Sequence, residues 1–144
     1  MDYKAFTLTF IQYTTLLLML WRMNWLCSNL ELKLLQLLGF FVVIWAVFEM
    51  RKSKLNITPS PKKGASLINS GIYKVLRHPM YTSLLLTFTP MIIENYNLVN
   101  FLIFITFTLN LILKLEYEEV LLKRFFKNYA IYQTKSWRII PFIY

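Results

Sequence analysis

Four apolar runs alternate along this chain with short polar breaks and one long basic stretch. Ala5 to Trp21 is seventeen residues without a charge, about 26 Å of helix and enough to cross a thin hydrocarbon core. Trp21 and Trp25 close it where interfacial anchors stand, with Arg22 beyond. Leu34 to Phe48 is the heart of a second run, extended by Leu32 and Met50, with Lys33 and Glu49 at its edges free to snorkel. Met80 to Ile93 is short and contains Pro90, and Leu98 to Leu113 follows after Glu94-Asn95-Tyr96-Asn97, so these two runs read as a tight helical hairpin. The pattern predicts an all-α integral membrane bundle, a single domain over 1–144 with four transmembrane spans at about 5–21, 32–50, 80–93 and 98–115. Residues 51–79 are then a loop, and 116–144 a C-terminal amphipathic helix and tail at the same face.

Composition agrees with the pattern. Hydrophobic residues make up 57% of 144, only 16% are charged and the mean hydropathy is +0.48. A soluble domain of this size cannot hide that much apolar surface. The first run is a poor signal peptide, because Asp2 and Lys4 make a weak leading segment and no small-residue cleavage site follows. Between Arg51 and Arg77 stand seven basic residues and no acid, and the tail adds Lys114, Lys123, Arg124, Lys127, Lys135 and Arg138. With an even number of spans both groups fall on one side, which the positive-inside rule makes cytoplasmic, together with both termini. The net charge of +9 then serves topology and anionic lipid headgroups, and no nucleic-acid partner is expected. One cysteine, Cys27, and one histidine exclude an intrachain disulfide and a Cys/His zinc site, so no metal is expected. Cys27 reads as a small buried hydrophobe.

Chemistry-bearing residues gather in two polar knots. The first, Ser70 to Tyr81, holds the histidine, His78. It follows an extended connector, Asn56 to Gly64, that contains two prolines. Gly71 can take a positive φ there, and Pro79 suits the first turn of a helix. His78 then lies near a helix N-cap, where free amides favour a carboxylate or another anion. The second knot is Glu116-Tyr117-Glu118-Glu119. No proline or glycine interrupts Lys114 to Gln133, and Leu115, Leu122, Phe125, Tyr129 and Tyr132 recur at helical spacing. Glu118 falls inside that stripe, so it is expected to enter the bundle and to need Arg77 or a ligand's positive group as partner. Glu119 is turned about 100° away and has Lys123 at i+4, which predicts a surface ion pair. A plainer account makes Arg77 a topological anchor, His78 a weak cap, and Tyr73 and Tyr81 belt aromatics.

In order and spacing, Gly71-Ile72-Tyr73 with Arg77-His78-Pro79-Met80-Tyr81 resembles the signature of integral-membrane methyltransferases related to isoprenylcysteine carboxyl methyltransferase and the phospholipid N-methyltransferases. Glu118-Glu119-Val120-Leu121-Leu122, Phe125, Tyr129, Tyr132, Lys135, Arg138 and Pro141 resemble its second half, so the likeness runs from roughly Leu67 to Phe142. The resemblance implies a small helical bundle that encloses S-adenosylmethionine at its cytoplasmic face. It also implies methyl transfer to a lipid-like or isoprenylated acceptor, through a carboxylate or an amine. Carried over residue by residue, it makes Arg77 and Glu118 catalytic and places Leu67, Gly71, Tyr73, His78, Pro79, Tyr81 and Glu119 around the cofactor. Lys135 and Arg138 become substrate-binding. The chain departs at Ile72, Ser83, Phe126, Lys135 and Trp137, where the family often has Pro, Gly, Gly, Arg and Pro. Lysine lacks arginine's bidentate fork, which leaves the acceptor open at Lys135. The rival classes are an NADPH-dependent membrane reductase of the steroid-reductase type and a non-enzymatic membrane protein.

Overall fold

The computed structural model describes residues 3–52 and 66–143; the expected connector Asn56 to Gly64 lies outside them. The helices are α1 (Tyr3–Arg22), α2 (Leu30–Met50), α3 (Pro79–Glu94), α4 (Leu98–Phe125) and α5 (Tyr129–Gln133), with a 3-10 turn at Gly71–Lys74. Their starts follow from local chemistry. The Asn29 side chain accepts from the amides of Glu31 and Leu32 to cap α2, Asn97 caps α4 through the Asn100 amide, and Pro79 opens α3.

Long-range polar bonds fix the far end of the bundle. The Glu94 carboxylate accepts from the Ser28 amide at 2.7 Å and the Asn29 amide at 3.1 Å, which ties the α1–α2 connection to the end of α3. Gln36 braces the same connection through the Cys27 amide and the Trp25 carbonyl, and Arg22 Nε reaches Asn100 at 3.0 Å. At the opposite end the Lys4 ammonium lies 5.1 Å from the Tyr117 ring centre. So α1 runs antiparallel to α4, on which it packs, and α2 packs on α3. Gly39 permits the second contact, because a Cβ there would fall 2.5 Å from Thr87 Oγ1 and 2.9 Å from the Thr87 amide nitrogen. Met19, Met23, Phe88, Met91, Phe107, Leu111 and Leu115 share the main core. Cys27 is buried there as expected, and burial with Glu94 nearby pushes its thiol up to about 11, so it stays unreactive.

Among the described residues, α2 and α4 are long and apolar enough to cross a membrane, and most of each apolar stretch faces outward. Phe41, Ile44 and Phe48 on α2 and Leu102, Leu109 and Leu113 on α4 are exposed and form an apolar outer face suited to lipid. The four spans expected from the sequence reduce to these two by length and hydropathy. With sixteen residues α3 is short, and Thr7, Thr9, Gln12, Thr14 and Thr15 dilute α1. A second correction concerns the C-terminal region. Instead of stopping at 115, α4 continues to Phe125, and the helix expected through Gln133 breaks at Phe126–Asn128 before the short α5. The break turns Tyr129 and Tyr132 back onto the bundle, where both are buried.

Glu49 differs from its expected snorkelling role. It is buried at the end of α2 and accepts from Ser70 Oγ at 2.8 Å and Lys52 Nζ at 2.7 Å. Gly71 turns over it with φ of +55°, and a Cβ there would collide with the Glu49 carboxyl group. Gly71→Ala is therefore expected to cost at least about 1–3 kcal/mol, from backbone strain and the displaced carboxylate together. Thermal unfolding in detergent checks this; an unshifted midpoint would refute the tight turn.

Candidate functional site

The two polar knots meet. Residues 75–78 run beside the tail: the Arg77 amide donates to the Trp137 carbonyl at 2.7 Å, His78 to Arg138 at 3.0 Å, and Trp137 back to Val75 at 2.8 Å. Leu76 and Trp137 form a parallel bridge, and Thr82 Oγ1 donates to the Ile139 carbonyl at 2.6 Å. This backbone pairing brings Arg77 and Arg138 to the same point above α4.

There they converge on Glu119. Arg77 Nε meets Glu119 Oε1 at 2.7 Å, while Arg138 Nε and Gln133 Nε2 reach Oε2 at 3.2 Å and 3.0 Å. Arg77 Nη1 also donates to the carbonyls of Gln133 and Ser136. The Arg77 and Glu119 side chains are only 8% and 5% exposed. Such a buried pair is tolerable because nearly all its donors and acceptors are matched. The expected surface pairing of Glu119 with Lys123 is overturned. Glu119 continues the buried line Phe107, Leu111, Leu115 at four-residue steps, while Lys123 is exposed. Arg77, expected as the partner of Glu118, pairs with Glu119.

Glu118 stands on the rim of the cluster at 18% side-chain exposure, with Oε2 at 3.7 Å from His78 Nδ1. His78 is the N-cap residue of α3, as the sequence predicts, but its side chain makes no capping bond. It lies between the two acids, with Nε2 3.6 Å from Glu119 Oε1 and without a hydrogen-bond partner although buried. Tyr81 stacks on it at 5.5 Å with the rings 5° from parallel. A second orphan, the buried Tyr129 hydroxyl, lies in the field of Glu119 and Arg77. Unmet buried polar atoms are costly and mark places where a water or a ligand supplies the missing partner.

The remaining sequence candidates are dispersed. Tyr73 packs with Ile68, Ile72, Val42 and Ala46 against α2, and its carbonyl accepts from Tyr132 Oη at 2.6 Å. Burial pushes the Tyr132 phenol up to about 12, so it remains a neutral donor. Pro79 is buried beneath the cluster, Leu67 is half-buried, and Gly71 belongs to the Glu49 turn. Lys135 is exposed, and its amide donates to the Tyr132 carbonyl. Sequence reasoning missed Gln133, Ser136 and Glu49. The first two offer no signal beyond being polar in an aromatic tail; Glu49, an acid at the end of an apolar run, does offer one.

A family model described as phospholipid methyltransferase matches residues 32–129, more than half of the chain. The chain belongs to the phospholipid methyltransferase family. Within that methyltransferase family match lie α2 from Leu32 onward, α3, α4, His78 and both acids, whereas Gln133, Ser136 and Arg138 follow it. Its membrane-length helices fit a membrane location. No curated protein and no solved structure matches the chain.

Proposed function

We propose that this protein transfers a methyl group from S-adenosylmethionine to a lipid-like acceptor at the membrane surface. The observation that carries the reading is the buried cluster on Glu119. It assembles two guanidinium groups, two carboxylates and His78, whose Nε2 lies 3.6 Å from Glu119 Oε1, at one end of a membrane-length helix. Those groups suit the ligand: a carboxylate finds Arg138, and an ammonium or ribose hydroxyl finds Glu118. When bound, S-adenosylmethionine supplies a sulfonium-activated methyl, for which no metal or covalent intermediate is required. The protein's own part is to hold the acceptor in line, exclude water, and take up a proton at Glu118 when the acceptor is an amine. Orientation of this kind supplies about 7–11 kcal/mol of barrier reduction.

On this reading α2 and α4 cross the bilayer, with the site end at the cytoplasmic face beside the basic residues. The test is binding of labelled S-adenosylmethionine against NADPH to detergent-purified protein, followed by label transfer into added lipid. S-adenosylmethionine binding with transfer supports the proposal; NADPH binding alone would move the protein to the reductase class. His78→Ala leaves every Glu119 ion pair to arginine in place, so it is expected to weaken S-adenosylmethionine affinity about tenfold without unfolding the protein. Calorimetry with equal affinity for both proteins would count against the site.

A further inference from the structure

Residues 137–143 present two unlike faces. Inward, Arg138 reaches Glu119, the Ile139 side chain enters the main core, and the Ile139 carbonyl accepts from Thr82 Oγ1. Outward, Trp137, Ile140, Phe142 and Ile143 are exposed, the last two at 82% and 76%. Val75, also exposed, joins them from the segment whose backbone pairs with Trp137. The Trp137 and Phe142 rings stand 5.9 Å apart, so these side chains gather in a patch. The site draws on the inner face alone. A cluster of large apolar side chains left bare on the outer face marks a surface that binds something.

Position and charge select the partner. Glu49, at the end of the membrane-length α2, accepts from Ser70 Oγ at 2.8 Å, and the turn at Gly71–Lys74 leads directly to Val75. The patch therefore lies near the level where α2 leaves the hydrocarbon, at the same helix end as the exposed Phe48. Lys74 and Lys135, both exposed, stand beside Val75 and two residues before Trp137. Aromatic and aliphatic tips with basic flanks suit the headgroup layer of an anionic leaflet. We propose that Val75, Trp137, Ile140, Phe142 and Ile143 seat the tail in that layer, and that this seat keeps Arg138 on Glu119. The coupling follows from the chain: Arg138 adjoins Trp137, so withdrawing the outer face loosens the inner one. A lipid surface thus completes the site, whatever reaction the site performs.

The test places the full chain in nanodiscs of phosphatidylcholine, with or without phosphatidylglycerol, and follows tryptic cleavage after Lys135 and Arg138. Cleavage after Arg138 reads the site directly, because a guanidinium held by Glu119 is withheld from the protease. Protection is expected to be strongest in the anionic nanodiscs. Phe142→Ser with Ile143→Ser removes two side chains that are mostly exposed, so the unfolding midpoint in detergent should hold. Cleavage of that variant in anionic nanodiscs should quicken about tenfold or more, the scale of withdrawing two large apolar groups from lipid. Equal cleavage of variant and wild type overturns the anchor, and equal protection with and without phosphatidylglycerol overturns the anionic leaflet. Depth is read separately from Trp137 in a chain carrying Trp21→Phe, Trp25→Phe and Trp45→Phe. Lipid brominated near the headgroup should quench its fluorescence more than lipid brominated at the chain ends, as a seat about 5–10 Å into the headgroup boundary requires. Unquenched emission overturns the proposal. Protection that persists in detergent and is lost on dilution assigns the face to a second copy of the chain and overturns it as well.

Discussion

Glu119→Gln is expected to destabilise the protein by about 3–5 kcal/mol, the cost of breaking a buried ion pair from one side. The change removes the countercharge of two guanidinium groups at once. Arg77 cannot escape to water, because its Nη1 is held by the carbonyls of Gln133 and Ser136 and its side chain is almost fully buried. Had Glu119 made only an exposed pair with Lys123, about 0.3–0.5 kcal/mol would be at stake. The two outcomes differ by roughly tenfold in energy, so unfolding in detergent separates them readily. Arg77→Met combined with Glu119→Leu should be less destabilised than either single change, since the guanidinium left without Glu119, that of Arg138, is 31% exposed to solvent. A Glu119→Gln midpoint equal to that of wild type would refute the buried cluster.

The sequence made the existence of that cluster legible but not its wiring. Apolar runs bounded by Asn, Pro and Trp located all four long helices, since caps and periodicity act locally. The meeting of the Arg77-His78 segment with the acids of α4 was legible as well. The phase of α4 was not. Stepping from Leu115 through Leu122 and Phe125 to Tyr129 assumes one unbroken helix, and the break at Phe126–Asn128 invalidates every position beyond it. Phase is set instead upstream, by Phe107, Leu111 and Leu115 packing in the core, and four residues on that line is Glu119. Glu49 was misread for a related reason. An acid at the edge of an apolar run resembles a snorkelling group until the Ser70–Gly71 turn, 21 residues on, folds over it. Such contacts between distant segments carry no periodic signature.

Glu118→Gln is expected to do the opposite of Glu119→Gln, keeping the fold and lowering methyl transfer to an amine by about 10²–10⁴-fold. Glu118 lies at the rim, more exposed than Glu119, and faces His78 Nδ1 and Tyr81, so its loss strands no buried arginine. An amine acceptor arrives protonated near neutral pH and needs a base within reach before its lone pair can attack. A carboxylate at the mouth of the cluster, adjacent in sequence to one locked in ion pairs, is placed for that task, while Glu119 is committed to Arg77 and Arg138. On the proposed function the two acids divide the work, Glu119 holding the scaffold and Glu118 meeting the acceptor. Single-turnover transfer measured across pH, on proteins with matched unfolding midpoints, isolates this step. The deficit of the Glu118→Gln variant should shrink as pH rises and free amine becomes available without help. A deficit that is constant with pH would assign Glu118 to binding, and an undiminished rate would remove it from the site.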